Sequence, residues 1–275
     1  MLEIKNLTVG LPSRAESGFD TMLEDVSLSV EAGQSLGLVG EAGSGKSLLV
    51  HAIGGLLRPP VVPIGGEILF EGQDLLSMPP DDRRLILGEE LSLVLPGGRI
   101  RLNPLEKVGR QIVRVLRDHH PEMAKAEALE RAIQLLDRVG IPDPDKRALA
   151  YPHELSGGMA QRTVVAMALA NSPRFIVADE PTTGIDVTIQ RQILEDFAGL
   201  IREDNVGLLI VTRDLGIVAH FCDRVAVVSE GRIVENAEVR TFFKEQQHPV
   251  SQELMRATVL ERQKAAEWSA AAASR

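Results

Sequence analysis

The sequence predicts an α/β protein: a mostly parallel sheet wrapped by helices, with an antiparallel β portion and an inserted helical stretch. Three observations predict it. "QSLGLVG", "RFIVADE" and "GLLIVT" are short apolar runs, the pattern of strands buried on both faces of a parallel sheet. Stretches of helical period separate such runs, which is how parallel strands are joined. Near the start, "LEIKNLTV" and "MLEDVSLSV" instead alternate apolar and polar residues, as half-buried antiparallel strands do.

The remaining elements follow in chain order. "GEILFEG" reads as an exposed-edge strand. From about Lys107 to Gly140 the period becomes helical. In "MAKAEALERAIQLLDRVG", Leu129, Ala132, Ile133 and Leu136 recur at i, i+3, i+4 and i+7, which predicts one apolar face. Pro142 and Pro144 end that stretch. "LSGGMAQRTVVAMALA" is a further helix, followed by the strand "RFIVADE", the helix "TIQRQILEDFAGLIRED" and the strand "GLLIVT". A short helix "LGIVAHFC" leads to "RVAVVSEGRIVE", two strands about a Glu-Gly turn. The tail "RQKAAEWSAAAASR" is low in complexity and is expected to be frayed or flexible.

Bulk properties bound the function. The 275 residues suit one large domain or two modest ones, and 44% apolar with 25% charged residues is ordinary for a globular protein. One cysteine, Cys222, rules out an internal disulfide and suits a reducing compartment; it is expected in the core. A net charge of -9 argues against a nucleic-acid partner. "MLEIKNLTVG" lacks the order of a signal peptide, and no apolar run approaches the roughly 18 residues that span a bilayer. A cytoplasmic chain that meets a membrane only through partners is therefore expected.

Chemistry enters with "GEAGSGKS". Gly40, Glu41, Ala42, Gly43, Ser44, Gly45, Lys46 and Ser47 match G-x-x-x-x-G-K-[ST] between a strand and a helix. Glycines let backbone N–H groups curl around phosphate oxygens, and the helix aims its positive end at the same oxygens. Lys46 is expected on the terminal phosphates of ATP and Ser47 on Mg²⁺, in a P-loop NTPase (RecA-like) fold. "FIVADE" ends an apolar strand in two carboxylates. Asp179 is expected to hold Mg²⁺, and Glu180 to orient or deprotonate the attacking water. In "LSGGMAQR", Ser156, Gly157 and Gly158 open a second helix with an anion-binding terminus. Both termini act together only if two chains face each other, each closing over the other's ATP. His153, just before it, reads as a loop residue that orients this motif, since no His or Cys stands at metal-ligand spacing from it.

Over about residues 1–240 the chain resembles the ATP-binding subunit of an ABC transporter, on "GEAGSGKS", "LSGGMAQR", "FIVADE" and "TTGID" with Asp186. It is similar to the peptide/nickel importer type through "LNPLEKVGRQI", "YPHELSGGM", "ADEPTTGIDVT", "DLGIVAHFCDRVAVVSEGRIVE" and "QHPVSQEL". In the last, Val250 and Ser251 replace the Tyr-Thr of that group's His-Pro-Tyr-Thr element. The resemblance implies the ABC ATPase fold: a RecA-like core over about 1–96 and 161–240, a helical subdomain over about 97–160, and a C-terminal extension over 241–275. It implies a paralogous ATPase partner in a heterodimer, two membrane permeases and an extracytoplasmic binding protein. Asp186 and the Ser156–Gly158 motif would join the nucleotide site.

Two positions depart from that family. Aligned on "LNP", Pro96 falls where relatives carry a Gln that reaches Mg²⁺ and the attacking water; proline has no side-chain donor or acceptor. Arg213 replaces the switch histidine, and guanidinium only donates. A site that binds ATP but hydrolyses it weakly is expected, with Arg99 and Arg101 in "GGRIR" as cations that could reach the γ-phosphate position. Phe19 is the nearby aromatic candidate for stacking on adenine. A soluble ABC-type ATPase serving a cytoplasmic enzyme complex, as in phosphonate degradation, is the alternative reading.

Overall fold

The computed structural model describes residues 1–13, 18–182 and 187–258. The chain opens with β1 (Leu2–Pro12), β2 (Phe19–Val30) and β3 (Ser35–Val39), then α1 (Lys46–Ile53), β4 (Val62–Phe70) and β5 (Gln73–Asp74). Next come α2 (Pro80–Ile86), β6 (Leu91–Val94), α3 (Gly98–Arg101), α4 (Val108–His119), α5 (Lys125–Arg138), α6 (Pro144–Ala148) and α7 (Gly157–Leu169). The last part holds β7 (Phe175–Asp179), α8 (Val187–Glu203), β8 (Gly207–Val211), α9 (Leu215–Phe221), β9 (Arg224–Ser229), β10 (Arg232–Glu238) and α10 (Val239–Lys244). Residues 249–258 are helical as well.

Among the described residues the strands form two sheets. One, in the order β2-β1-β4-β5, is antiparallel throughout. The other, β10-β9-β3-β8-β7-β6, is parallel except for its β10–β9 edge. This is the α/β architecture that the sequence predicts, with one correction. "GEILFEG" lies in β4, which is not an edge: β1 pairs along one side, and the two-residue β5 covers Leu69 and Phe70 on the other.

The two-residue period of the strands divides the core. In β7, Ile176 and Ala178 face one hydrophobic cluster while Phe175 and Val177 face another; in β8, Leu208 and Ile210 part from Leu209 and Val211 in the same way. The first cluster takes in Ile112, Ala132, Leu136 and Val164 of the helices α4, α5 and α7. The second packs α1 and the antiparallel sheet beneath the parallel one, through Leu49, Ile53, Ile4 and Ile68. Burial on both faces explains why these strands read as unbroken apolar runs.

The helical insert packs differently in detail from its sequence pattern. In α5 the buried positions are Ala128, Ala132, Leu135 and Leu136, while Leu129 is 37% exposed and Ile133 half-buried. The apolar face is thus turned from Leu129 toward Leu135, and its buried residues share one cluster with Ile112 of α4 and Val164 of α7. α7 itself runs unbroken through residues 160 and 161, where the sequence reading expects a helical subdomain to give way to the core. At the far end, Val250, Leu254 and Met255 pack on Phe242, Val218 and Val225, so the segment up to residue 258 is docked. The expected tail beyond it lies outside the described residues.

Candidate functional site

The functional side chains gather at the carboxyl ends of the parallel strands, where open α/β sheets place ligands. β3 lies between β8 and β9 and delivers "GEAGSGKS" to that edge. Three glycines there hold positive φ: Gly40 at 155°, Gly43 at 80° and Gly45 at 107°. A Cβ on Gly40 would lie 2.2 Å from the Val228 carbonyl oxygen, and one on Gly45 2.6 Å from Leu23 Cδ2. Above Gly43 there is open space, so its glycine serves conformation and leaves room for a ligand.

The loop is also stitched from outside. Glu230 (φ 47°) and Gly231 (φ 77°) form the two-residue turn between β9 and β10, both left-handed as a type I′ hairpin requires. Gly231 N donates to Ser44 O at 3.0 Å, and Glu24 N donates to Gly231 O at 2.9 Å. Thr21, Met22, Ala42, Gly43, Gly45, Lys46, Ser47, Glu180, Arg213, Glu230 and Gly231 line a single open cleft of about 730 Å³.

Lys46 opens α1 and is buried. Its Nζ donates to Gly40 O at 2.7 Å, Glu41 O at 2.6 Å and Ser44 Oγ at 3.2 Å. Burial pushes its ammonium below the ordinary lysine range, and the Glu180 carboxylate opposes that shift. Asp179 ends β7 at 1% exposure. Burial raises its carboxyl above the ordinary range, while a hydrogen bond from Ser47 works the other way. Its Oδ1 is buried with no hydrogen-bond partner. A buried, unpaired carboxylate oxygen beside a serine hydroxyl is the oxygen donor set that a hard divalent cation takes, so Ser47 and Asp179 fit Mg²⁺.

Register brings the next pair together. Asp179 aligns with Val211, and Glu180 N donates to Val211 O at 2.9 Å. Arg213, two residues beyond Val211, then reaches Glu180: Nε to Oε1 is 2.8 Å. Glu180 itself lies in the left-handed region, at φ 42°, an uncommon conformation for a non-glycine residue that concentrates at functional sites.

The loop carrying Pro96 does not enter the cleft. Gly97 (φ 96°) turns the chain into the single helical turn of α3. Gly98 N donates to Gln161 Oε1 at 3.0 Å, Arg99 donates to the Leu155 carbonyl, and Arg101 Nε donates to Pro96 O at 2.9 Å. Each arginine donates to a backbone oxygen and neither lines the cleft, against the expectation that they reach the γ-phosphate position. Arg99 and Gln161 tie this loop to the start of α7.

Ser156 caps α7, its Oγ accepting from Met159 N at 3.2 Å. Ser156 and Gly157 are exposed while Gly158 is buried, and none of the three lines the cleft. His153 sits exposed in a 3₁₀ turn and stacks on Tyr151, with centroids 5.7 Å apart. Cys222 ends α9 against Gly37, and burial pushes its thiol up to about 12. Asp186 lies outside the described residues.

Phe19, the candidate for stacking on adenine, starts β2 paired with Pro12 and is exposed, two residues before Thr21 and Met22, which line the cleft. The wall from Glu230 and Gly231 was also missed. The Glu-Gly signal for a hairpin was legible, but its place beside Gly45 comes from the pairing of β9 with β3.

Residues 23–183 match the family described as ABC transporter. Over 250 residues the chain is 43% identical to the oligopeptide transport ATP-binding protein OppD of Bacillus subtilis, covering 90% of this chain and 69% of that one. It is 42% identical over 249 residues to the dipeptide transport ATP-binding protein DppD of Lactococcus lactis, covering 90% and 71%. The dimeric structure of a post-hydrolysis state of the ATP-binding cassette MJ0796, bound to ADP and Pi, matches with a TM-score of 0.77 at 26% identity. That match covers 87% of this chain and 99% of the other.

Proposed function

Given that the chain belongs to the ABC transporter family and is an ABC-type ATPase, we propose that it is the ATP-binding subunit that energises a peptide importer. It works on the cytoplasmic face of the membrane with a paralogous ATPase, two permeases and an extracytoplasmic binding protein. The observation that carries this reading is the separation of two anion-binding termini. Lys46, Ser47 and Glu180 line one cleft, with Asp179 buried behind Ser47, while Ser156 and Gly157 open α7 outside it. A second chain facing this one brings its own α7 terminus to the cleft and receives Ser156 and Gly157 in return.

Within the cleft, Lys46 exchanges the Gly40 and Glu41 carbonyls for phosphate oxygens, and α1 directs its N-terminus at them. Mg²⁺, held by Ser47 and Asp179, would neutralise phosphate charge. In hydrolysis the water oxygen bonds the γ-phosphorus, the bond to the β–γ bridging oxygen breaks, and the water's proton passes to the Glu180 carboxylate. With Pro96 offering no side-chain ligand and Arg213 unable to accept, this chain's cleft is the weaker of the two in the heterodimer. Its Ser156–Gly158 motif completes the stronger one.

Purification of the tagged chain from detergent-solubilised membranes tests the assignment. Two polytopic subunits and a second ATPase are expected to co-purify, with ATP hydrolysis raised by binding protein loaded with peptide. Recovery with soluble enzymes alone would overturn it in favour of a non-transport ATPase.

A further inference from the structure

Resting on the nucleotide-binding reading, we infer that Arg213 makes this cleft retain a nucleoside triphosphate while withholding Glu180 from the attacking water. The Arg213–Glu180 pair is built from fixed backbone. Glu180 is anchored to β8 through its N–H on Val211 O. Arg213 stands between buried Thr212, whose Oγ1 accepts from Asp214 N at 3.1 Å, and Asp214, whose carboxylate caps α9 at Gly216 N, 2.7 Å away. These bonds hold the backbone at both ends of the pair.

The contact is monodentate. Nε of Arg213 meets Glu180 Oε1, and among the described residues its two terminal nitrogens make no hydrogen bond. The side chain is 60% exposed and lines the cleft with Lys46 and Ser47. A guanidinium is a rigid fork that serves one acceptor with Nε and another with its terminal nitrogens. Arg213 thus bridges Glu180 to the γ-phosphate, the group that a diphosphate lacks. One of the two carboxylate oxygens of Glu180, Oε1, is taken by a group that only donates. One residue raises the hold on triphosphate and slows its hydrolysis.

The test uses the assembled complex with the partner's catalytic glutamate replaced, so that only this cleft reports. Arg213→Met is expected to weaken Mg·ATP binding roughly tenfold, the scale of a lost charge-assisted bond, and to leave Mg·ADP binding within about twofold. Single-turnover hydrolysis at saturating ATP is expected to rise by about tenfold or more. A merely structural role would move affinity and rate down together. Arg213→Lys, one point charge without the fork, is expected to keep part of the ATP preference and to hydrolyse faster than the parent. Adding Glu180→Gln to Arg213→Met should erase the gain. An unchanged ATP-to-ADP ratio, a slower single turnover, or a gain that survives Glu180→Gln would each overturn the inference. Failure of the parent complex to bind Mg·ATP here would instead sink the nucleotide-binding reading.

Discussion

Asp179 carries its charge at the end of a strand whose five residues are all buried. Burial raises its folded-state pKa, so the ionised form destabilises the nucleotide-free fold. With a raised pKa in an acid, the cost is relieved as pH falls through the folded value and is fully felt at neutral pH. Asp179→Asn should therefore raise the melting temperature of the nucleotide-free protein at pH 7, by roughly 2–4 °C per kcal/mol relieved. Calorimetry over a falling pH series should show the gain shrinking as pH drops through the raised folded value of Asp179. The same variant should lose the Mg²⁺ dependence of ATP binding. Lys46→Ala should weaken ATP binding by at least about tenfold in equilibrium titration, because it removes charge-assisted contacts. These residues were legible in the sequence since each fixed position of "GEAGSGKS" has its own physical reason. The partner of Arg213 was not, because it depends on the register between β7 and β8.

The short element α3 docks on α7. Its anchor is a buried backbone N–H on Gln161 Oε1, and a Cβ on Gly98 would lie 2.7 Å from that oxygen. Gln161→Leu leaves the N–H of Gly98 without a partner and should cost about 1–3 kcal/mol in urea unfolding; a change within error would mean that water replaces the glutamine. The stretch "LPGGRI" showed a loop in sequence, and the loss of side-chain reach at Pro96 was readable there. Its fold onto α7 was not readable, since Gly97 reads as a breaker whether the chain then wanders or turns once and docks. The face of α5 was legible in part: Ala132 and Leu136 are buried as the period places them, while Ala128 and Leu135 take the positions expected for Leu129 and Ile133.

In the molecule as a whole, the cleft and the exposed terminus of α7 are separate, and the proposed function assigns them to two different nucleotide sites. Ser156→Arg puts a long cation at a terminus that lines no part of its own cleft. Titration of the isolated variant with Mg·ATP should match the parent, while turnover of the assembled complex should fall by about tenfold or more. Loss of ATP binding in the isolated variant would show that Ser156 acts within its own chain. The α/β class, the order of strands and helices and both phosphate-binding motifs were legible, because periodicity and glycine placement are local. Sheet order was not, because it rests on pairings between segments far apart in the chain.

That sheet order has a consequence for synthesis. β3 carries the phosphate loop, yet its neighbours on both sides, β8 and β9, and the turn that stitches Ser44 are made from residues 207–231. While the first two hundred residues leave the ribosome, β3 has two bare edges, a state open to wrong pairing. The loop takes its shape only when residues 207–231 emerge, and a chain halted before β8 has the motif without the site.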